Sequence, residues 1–175
     1  MSDTTYTTPA ETIATVVQQL LGEGVSIRDM RSIVETLTEA AARSTDPEQL
    51  AASVRPKLGR MIMQALVDES NNLSVMTLEP SLEQLLHNVL QQSQPGQPVV
   101  LEPNLAENLF SSLRQGARAM EEEGHAAVLV VSPLIRGWLS KAVRFRVNDL
   151  TVLSYSEIPD DQAVKVIHTV DAKAR

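Results

Sequence analysis

Two stretches of equal length in the second half of the chain limit its fold more than any others. They are Ala126-Ala-Val-Leu-Val-Val131, which is continuously apolar, and Leu150-Thr-Val-Leu-Ser-Tyr155. Each is too short for an ordinary buried helix, and an apolar run without polar alternation suits a strand covered on both faces. Between them Ser132-Pro133 opens a helix from Leu134 to about Phe145, with Ser132 as its N-cap. Strand, helix and strand in this order form a crossover unit, which favours parallel pairing.

The same alternation begins further upstream. Leu73 to Leu78 reads as a strand, and Pro80 starts a helix that turns Leu82, Leu85, Leu86, Val89 and Leu90 inward. A polar loop from Gln91 to Gln97, a short strand Val99-Val-Leu101 and a helix from Leu105 to about Glu121 follow. Near the end, Val164, Val166, His168 and Val170 alternate with Lys165, Ile167 and Thr169, the pattern of an edge strand with one wetter face.

Before Asp68 the period is helical only. Ile13, Val16, Val17, Leu20 and Leu21 make an apolar stripe that Gly22 and Gly24 stop. Ser26 and Asp29 form a Ser-x-x-Asp capping box that starts a second helix over Ile27 to about Arg43. Its inward face is Met30, Ile33, Val34, Leu37 and Ala41. Asp46-Pro47 starts a third helix, with Gln49 reaching back to its start, and Pro56 inside that helical pattern predicts a kink. The expected class is α+β / α/β, a three-helix subdomain followed by a small α/β subdomain with a mostly parallel sheet. The expected divisions are a lead-in over residues 1–9, helices over 10–67, the α/β part over 73–171 and a tail over 172–175.

Charge narrows the partners. The net charge is −7, and neither half is basic: residues 1–67 hold 6 Lys/Arg against 8 Asp/Glu, and residues 68–175 hold 9 against 14. An acidic surface disfavours nucleic acid and anionic membranes as partners. The sequence has no cysteine, which excludes disulfides, thiolate catalysis and zinc–thiolate sites. Aromatics make up 3% of residues, so the core must be aliphatic. The apolar run ending at Val131 is far too short to span a bilayer, and the chain as given is expected to be soluble.

Signals for chemistry are sparse. His87, His125 and His168 fall on three separate elements without ligand spacing, and neighbouring Glu121, Glu122 and Glu123 point in different directions around a helix end. Ser132 lacks the flanking glycines of a nucleophile elbow. No enzyme activity, metal or cofactor is expected. Trp138 and Phe145, seven residues apart, are expected in the core, with Trp138 the better candidate for partial exposure. Two groups remain as candidate interaction residues. Arg28, Asp29, Arg31 and Glu35 concentrate fixed charge on the second helix, a surface for subunit or subdomain contacts. Arg136, Tyr155 and Glu157 stand at the C-terminal edge of the predicted sheet, where open α/β folds bind ligands. With Ser132 they are also where a site would lie under the alternative reading, a small α/β enzyme; a free-standing cytosolic adaptor is the third reading.

Five collinear segments carry a resemblance. They are Gly24-Val-Ser-Ile-Arg-Asp-Met-Arg-Ser-Ile-Val-Glu-Thr-Leu37, Val54-Arg-Pro-Lys-Leu-Gly-Arg60, Leu78-Glu-Pro-Ser-Leu-Glu83, Val128-Leu-Val-Val-Ser-Pro-Leu-Ile-Arg136 and Val152-Leu-Ser-Tyr-Ser-Glu-Ile-Pro159. Together they resemble the type III secretion export-gate family, the flagellar/Hr/invasion protein export pore proteins, and the second and fifth look closer to its flagellar branch. The resemblance implies a non-catalytic module from the cytoplasmic domain of a bacterial inner-membrane protein. It implies self-association into a ring, a nonamer, and reception of export chaperone–substrate complexes and export ATPase components. By the same resemblance this chain lacks the family's membrane helices and two preceding cytoplasmic subdomains, so the membrane is reached only through an absent N-terminal region. Pro56 replaces a usual helix former.

Overall fold

The computed structural model describes residues 9–94 and 97–172. The expected lead-in as far as Thr8, Pro95 and Gly96 of the polar loop, and the tail beyond Ala172 lie outside the described residues. The chain forms two compact units, divided between Gln64 and Ala65.

The first unit is helical: α1 (Pro9–Gly22), α2 (Met30–Ala40), α3 (Pro47–Val54), a 3-10 turn (Arg55–Leu58) and α4 (Gly59–Gln64). Helix α1 ends in a Schellman motif. Gly24 takes φ 75°, its N–H reaches the Leu21 carbonyl at 3.0 Å, and the Val25 N–H reaches that of Leu20 at 2.9 Å. The second helix starts later than the sequence indicates. Asp29, not Ser26, is its N-cap and accepts from the Ser32 N–H, while Ser26 accepts from the Arg28 N–H in a local turn. An Asp carboxylate presents two acceptors to the first turn and carries the charge that the helix N-terminus favours. The late start also rotates the buried face. Ile33, Thr36, Leu37 and Ala40 are buried, whereas Met30, Val34 and Ala41, expected inside, are exposed. Asp46 caps α3 as expected, accepting from the Glu48 N–H. Pro56 supplies no N–H to the ladder, and there the helix tightens into the 3-10 turn before resuming as α4.

The second unit combines helices with a parallel sheet. Strands β1 (Asn72–Leu78), β2 (Val128–Val131), β3 (Thr151–Ser154) and β4 (Ala163–Val170) form one sheet in the order β3-β2-β1-β4. All three pairings are parallel. Helices α5 (Pro80–Gln92), α6 (Pro103–Glu122) and α7 (Pro133–Val143) supply the aliphatic core with the sheet. Met76, Leu78, Leu129, Val131 and Val152 meet Leu82, Leu86, Leu109, Leu113, Ile135 and Leu139 there. Residues of the other parity, Leu73, Val75, Val130 and Leu153, are buried as well. That double burial is why these strands read as continuous apolar runs.

All three helices begin at an X-Pro pair, and for α5 and α6 the preceding residue is a glutamate. Glu79 accepts from the Ser81 and Leu82 N–H groups, and Glu102 from those of Asn104 and Leu105. Proline at N1 gives up an N–H that would be unpaired anyway, and the carboxylate satisfies two that would otherwise be orphaned. Gly124, at φ 85°, repeats the Schellman ending after α6, with the His125 N–H on the Met120 carbonyl at 2.9 Å.

Four expectations are corrected. Val99-Val-Leu101 is not a strand: between Pro98 and Pro103 the chain runs without regular structure, and Leu101 turns to the core while Val100 is exposed. The strand expected from Ala126 begins at Val128. In β4 the register shifts by one residue, so that Val75 faces Val166 while Met76 faces His168. The extra residue, Ile167, packs against the core and Val164 and Val166 stay exposed, because a one-residue bulge exchanges the two faces of a strand. Finally, α7 stops at Val143, which leaves Phe145 on a turn, 87% exposed rather than in the core.

Candidate functional site

The charged residues of the second helix separate into different roles once the backbone is placed. Asp29 serves the helix itself: its Oδ2 accepts from the Ser32 hydroxyl at 2.6 Å and its Oδ1 from the Ser32 N–H at 3.1 Å. These two bonds hold its carboxyl below the usual aspartate pKa. Arg28 lies ahead of the helix and is exposed. Arg31 donates through Nε to Glu35 Oε1 at 2.9 Å, with side chains 88% and 63% exposed. Such an exposed i, i+4 pair stabilises a helix by only about 0.3–0.5 kcal/mol. Arg28, Arg31 and Glu35 thus remain on the surface, and Asp29 is committed internally. Beside them, an apolar cavity of about 260 Å3 is lined by Ile13, Val34, Leu37 and Leu50 among other residues of the first unit.

Arg136, Tyr155 and Glu157 gather at the C-terminal edge of the sheet, as their positions after β2 and β3 require. Arg136, on the first turn of α7, pairs through Nε with Glu157 Oε1 at 3.5 Å, both side chains being more than nine-tenths buried. Tyr155 donates its hydroxyl to Glu83 Oε2 at 3.2 Å. Glu83 Oε1 also accepts the backbone N–H of Ser132 at 2.9 Å. One carboxylate on α5 therefore ties together the chain segments that leave β2 and β3. Burial first, then the Glu83 charge and the hydrogen bond to it, push the Tyr155 hydroxyl above the ordinary tyrosine pKa.

Glu83 is the residue that the sequence reasoning passed over. It stands in the quoted segment Leu78–Glu83, on the first turn after Pro80, where a carboxylate can also reach the neighbouring strand ends. A second omission is Arg55, whose guanidinium is buried in the first unit and meets Glu23 at 2.5 Å. Arg55 falls within the quoted Val54–Arg60 segment, and burial was the missing information.

Ser132 occupies the N-cap position, but its side chain makes no capping bond, contrary to expectation. Its Oγ is buried and has no hydrogen-bond partner among the described residues. The other polar atoms named at this edge bond one another, so the cluster acts as a clasp on the sheet's edge. The three histidines stay apart, with His168 on Glu123 at 3.2 Å. Among the described residues no group of His, Asp and Glu has the arrangement of a metal site. No helix among them is long and apolar enough to cross a membrane.

Known proteins share both sequence and fold with this chain. It is 40% identical over 159 residues to the flagellar biosynthesis protein FlhA of Yersinia enterocolitica, covering 91% of this chain and 22% of that protein. The FlhA protein of Escherichia coli K12 is 38% identical over 162 residues, covering 93% and 23%. The chain thus spans less than a quarter of the length of these curated relatives. Among solved structures, the Shigella flexneri MxiA protein superposes with a TM-score of 0.81 at 26% identity, over 93% of this chain and 50% of that one. The nonameric SctV-C of enteropathogenic E. coli gives 0.79 at 26% identity, over 93% and 49%. With the FHIPEP family matched over residues 2–163, the chain belongs to that family, the flagellar and type III protein export-gate proteins.

Proposed function

We propose that this chain is a non-catalytic module of a flagellar protein-export gate, acting in the cytoplasm by self-association and by receiving export substrates. The observation that carries this reading is the collinear match over nearly the whole chain to flagellar biosynthesis proteins at about 40% identity. The flagellar branch is favoured because the virulence-system structures it resembles stand near 26%. SctV-C is described as nonameric, as is the EscV cytosolic domain of a type III secretion system, another solved structure this chain resembles, which supports a ring for the gate that contains this module. Export chaperone–substrate complexes and ATPase components are the partners the reading assigns to that ring.

Within this reading Arg28, Arg31 and Glu35 are the contact residues on the helical unit, since they are exposed and, among the described residues, the only ion pair they make is the exposed one between Arg31 and Glu35. Arg136 and Glu157, buried and paired, hold the sheet edge in shape, while Tyr155, half exposed, stays a contact residue at that edge. The test is a chimera in which the matching segment of E. coli FlhA is replaced by this chain, scored for swimming and for flagellin in the medium. Restored export supports the reading, and a stably expressed chimera that exports nothing counts against it. Charge reversal at Arg28 and Glu35 in that chimera should reduce motility and self-association together; unchanged values would remove these residues from the interface.

A further inference from the structure

We propose that the turn between α7 and β3, with the facing side of α6, is a docking surface for an acidic protein segment that brings an apolar side chain onto Phe145. Phe145 is 87% exposed, the most exposed of the large hydrophobic side chains among the described residues. Arginines stand on the same turn and on the facing helix. Arg144 lies over its ring at 5.6 Å from the centroid. Arg146 is fixed over the Phe110 ring at 4.9 Å and donates to the Ala142 carbonyl at 2.8 Å. Arg114 of α6 donates to the Arg146 carbonyl at 3.4 Å, which draws the third cation to the same place. None of these three arginines forms an ion pair with a carboxylate among the described residues, although the unit around them is acidic. Asp149 stands three residues beyond Arg146, and Glu121 and Glu122 lie further along α6.

An exposed ring with guanidinium groups on its own turn and on the facing helix has the makings of an interface anchor, and Arg146, held over Phe110, has little side-chain entropy left to lose on binding. Complementarity selects an acidic partner. A protein segment is favoured over a phosphate-covered surface because the chain's net charge of −7 repels an extended anionic surface, whereas a short segment samples only the local patch.

The test uses the full chain and a fluorescein-labelled amphipathic peptide with glutamates on one face and leucines on the other, read by anisotropy. Saturable, salt-sensitive binding is expected, weakened about ten-fold or more by Phe145→Ser and by Arg144→Glu. Both side chains are on the surface, so both variants should keep the parent's urea midpoint. Arg114→Glu provides a third variant on a different element. Absence of binding, equal binding by all variants, equal binding of the lysine counterpart peptide, or a preference for phosphatidylserine vesicles would each overturn the proposal.

Discussion

The Arg136–Glu157 pair offers the sharpest test of how the α/β unit is held together. Its side chains are 9% and 2% exposed, and the charged atoms lie 3.5 Å apart. At an effective dielectric of about 20, that separation corresponds to roughly 4–5 kcal/mol of attraction. Taking both groups out of water costs several kcal/mol for each ion, so the intact pair contributes little net stability. Half a pair is different. Arg136→Met keeps most of the stem's volume but takes the cation away from a buried carboxylate, and a loss of about 3–5 kcal/mol is expected.

Trp138 is the only tryptophan, lies on the same helix and packs against the core, so its fluorescence reports this unit. With a urea dependence of about 2 kcal/mol per molar, the midpoint should fall by about 1.5–2.5 M. Adding Glu157→Leu to Arg136→Met should then restore at least about half of the loss, because no unpaired charge remains. A loss below about 1 kcal/mol in Arg136→Met, or a double variant as unstable as the sum of the singles, would refute the reasoning.

Three further outcomes follow from the geometry. A Cβ on Gly116 would lie 2.7 Å from the sulfur of Met76, a fully buried side chain that must then shift within the core, so Gly116→Ala should cost about 1–3 kcal/mol by the same urea assay. Tyr155 has a raised pKa in the folded chain, so its contribution is complete below the unfolded value near 10 and is lost as pH climbs through the higher folded value. The urea midpoints of the parent and Tyr155→Phe should therefore hold their separation below about pH 10 and converge as pH rises above it. Asp29 has a lowered pKa, so its cap is effective above the unfolded value of 3.8 and fails as pH falls through the folded one. Asp29→Ala should reduce helical circular dichroism at neutral pH, Asp29→Asn should retain it, and the parent should approach Asp29→Ala on acidification.

Much of the architecture was legible because local physics decides it. The Ala126–Val131 run predicts a strand buried on both faces, and β2 lies inside the sheet with that burial. Asp46-Pro47 and Pro56 predict a helix start and its distortion, and both occur where the prolines stand. The failures share one cause, which is that several local patterns fit equally well until neighbours choose. Ser26 and Asp29 are both good caps, and the path of the chain out of Gly24 selects Asp29. The alternation in Val164–Val170 is symmetrical under a one-residue shift, and only pairing with β1 introduced the bulge that turns Ile167 inward.

The candidate residues divide in the same way. That Arg136, Tyr155 and Glu157 would meet at one sheet edge follows from their positions after successive parallel strands, so the sequence by itself determined their neighbourhood. Their chemistry was decided only in three dimensions. Glu83 arrives from a helix 49 residues before Ser132 and 72 before Tyr155, and no local pattern encodes such a distance. Burial likewise makes Arg136 and Glu157 a clasp, while the early end of α7 makes Phe145 a surface. Periodicity assigns a residue to an element and a face; whether that face meets water, a carboxylate or a partner depends on chain segments remote in sequence.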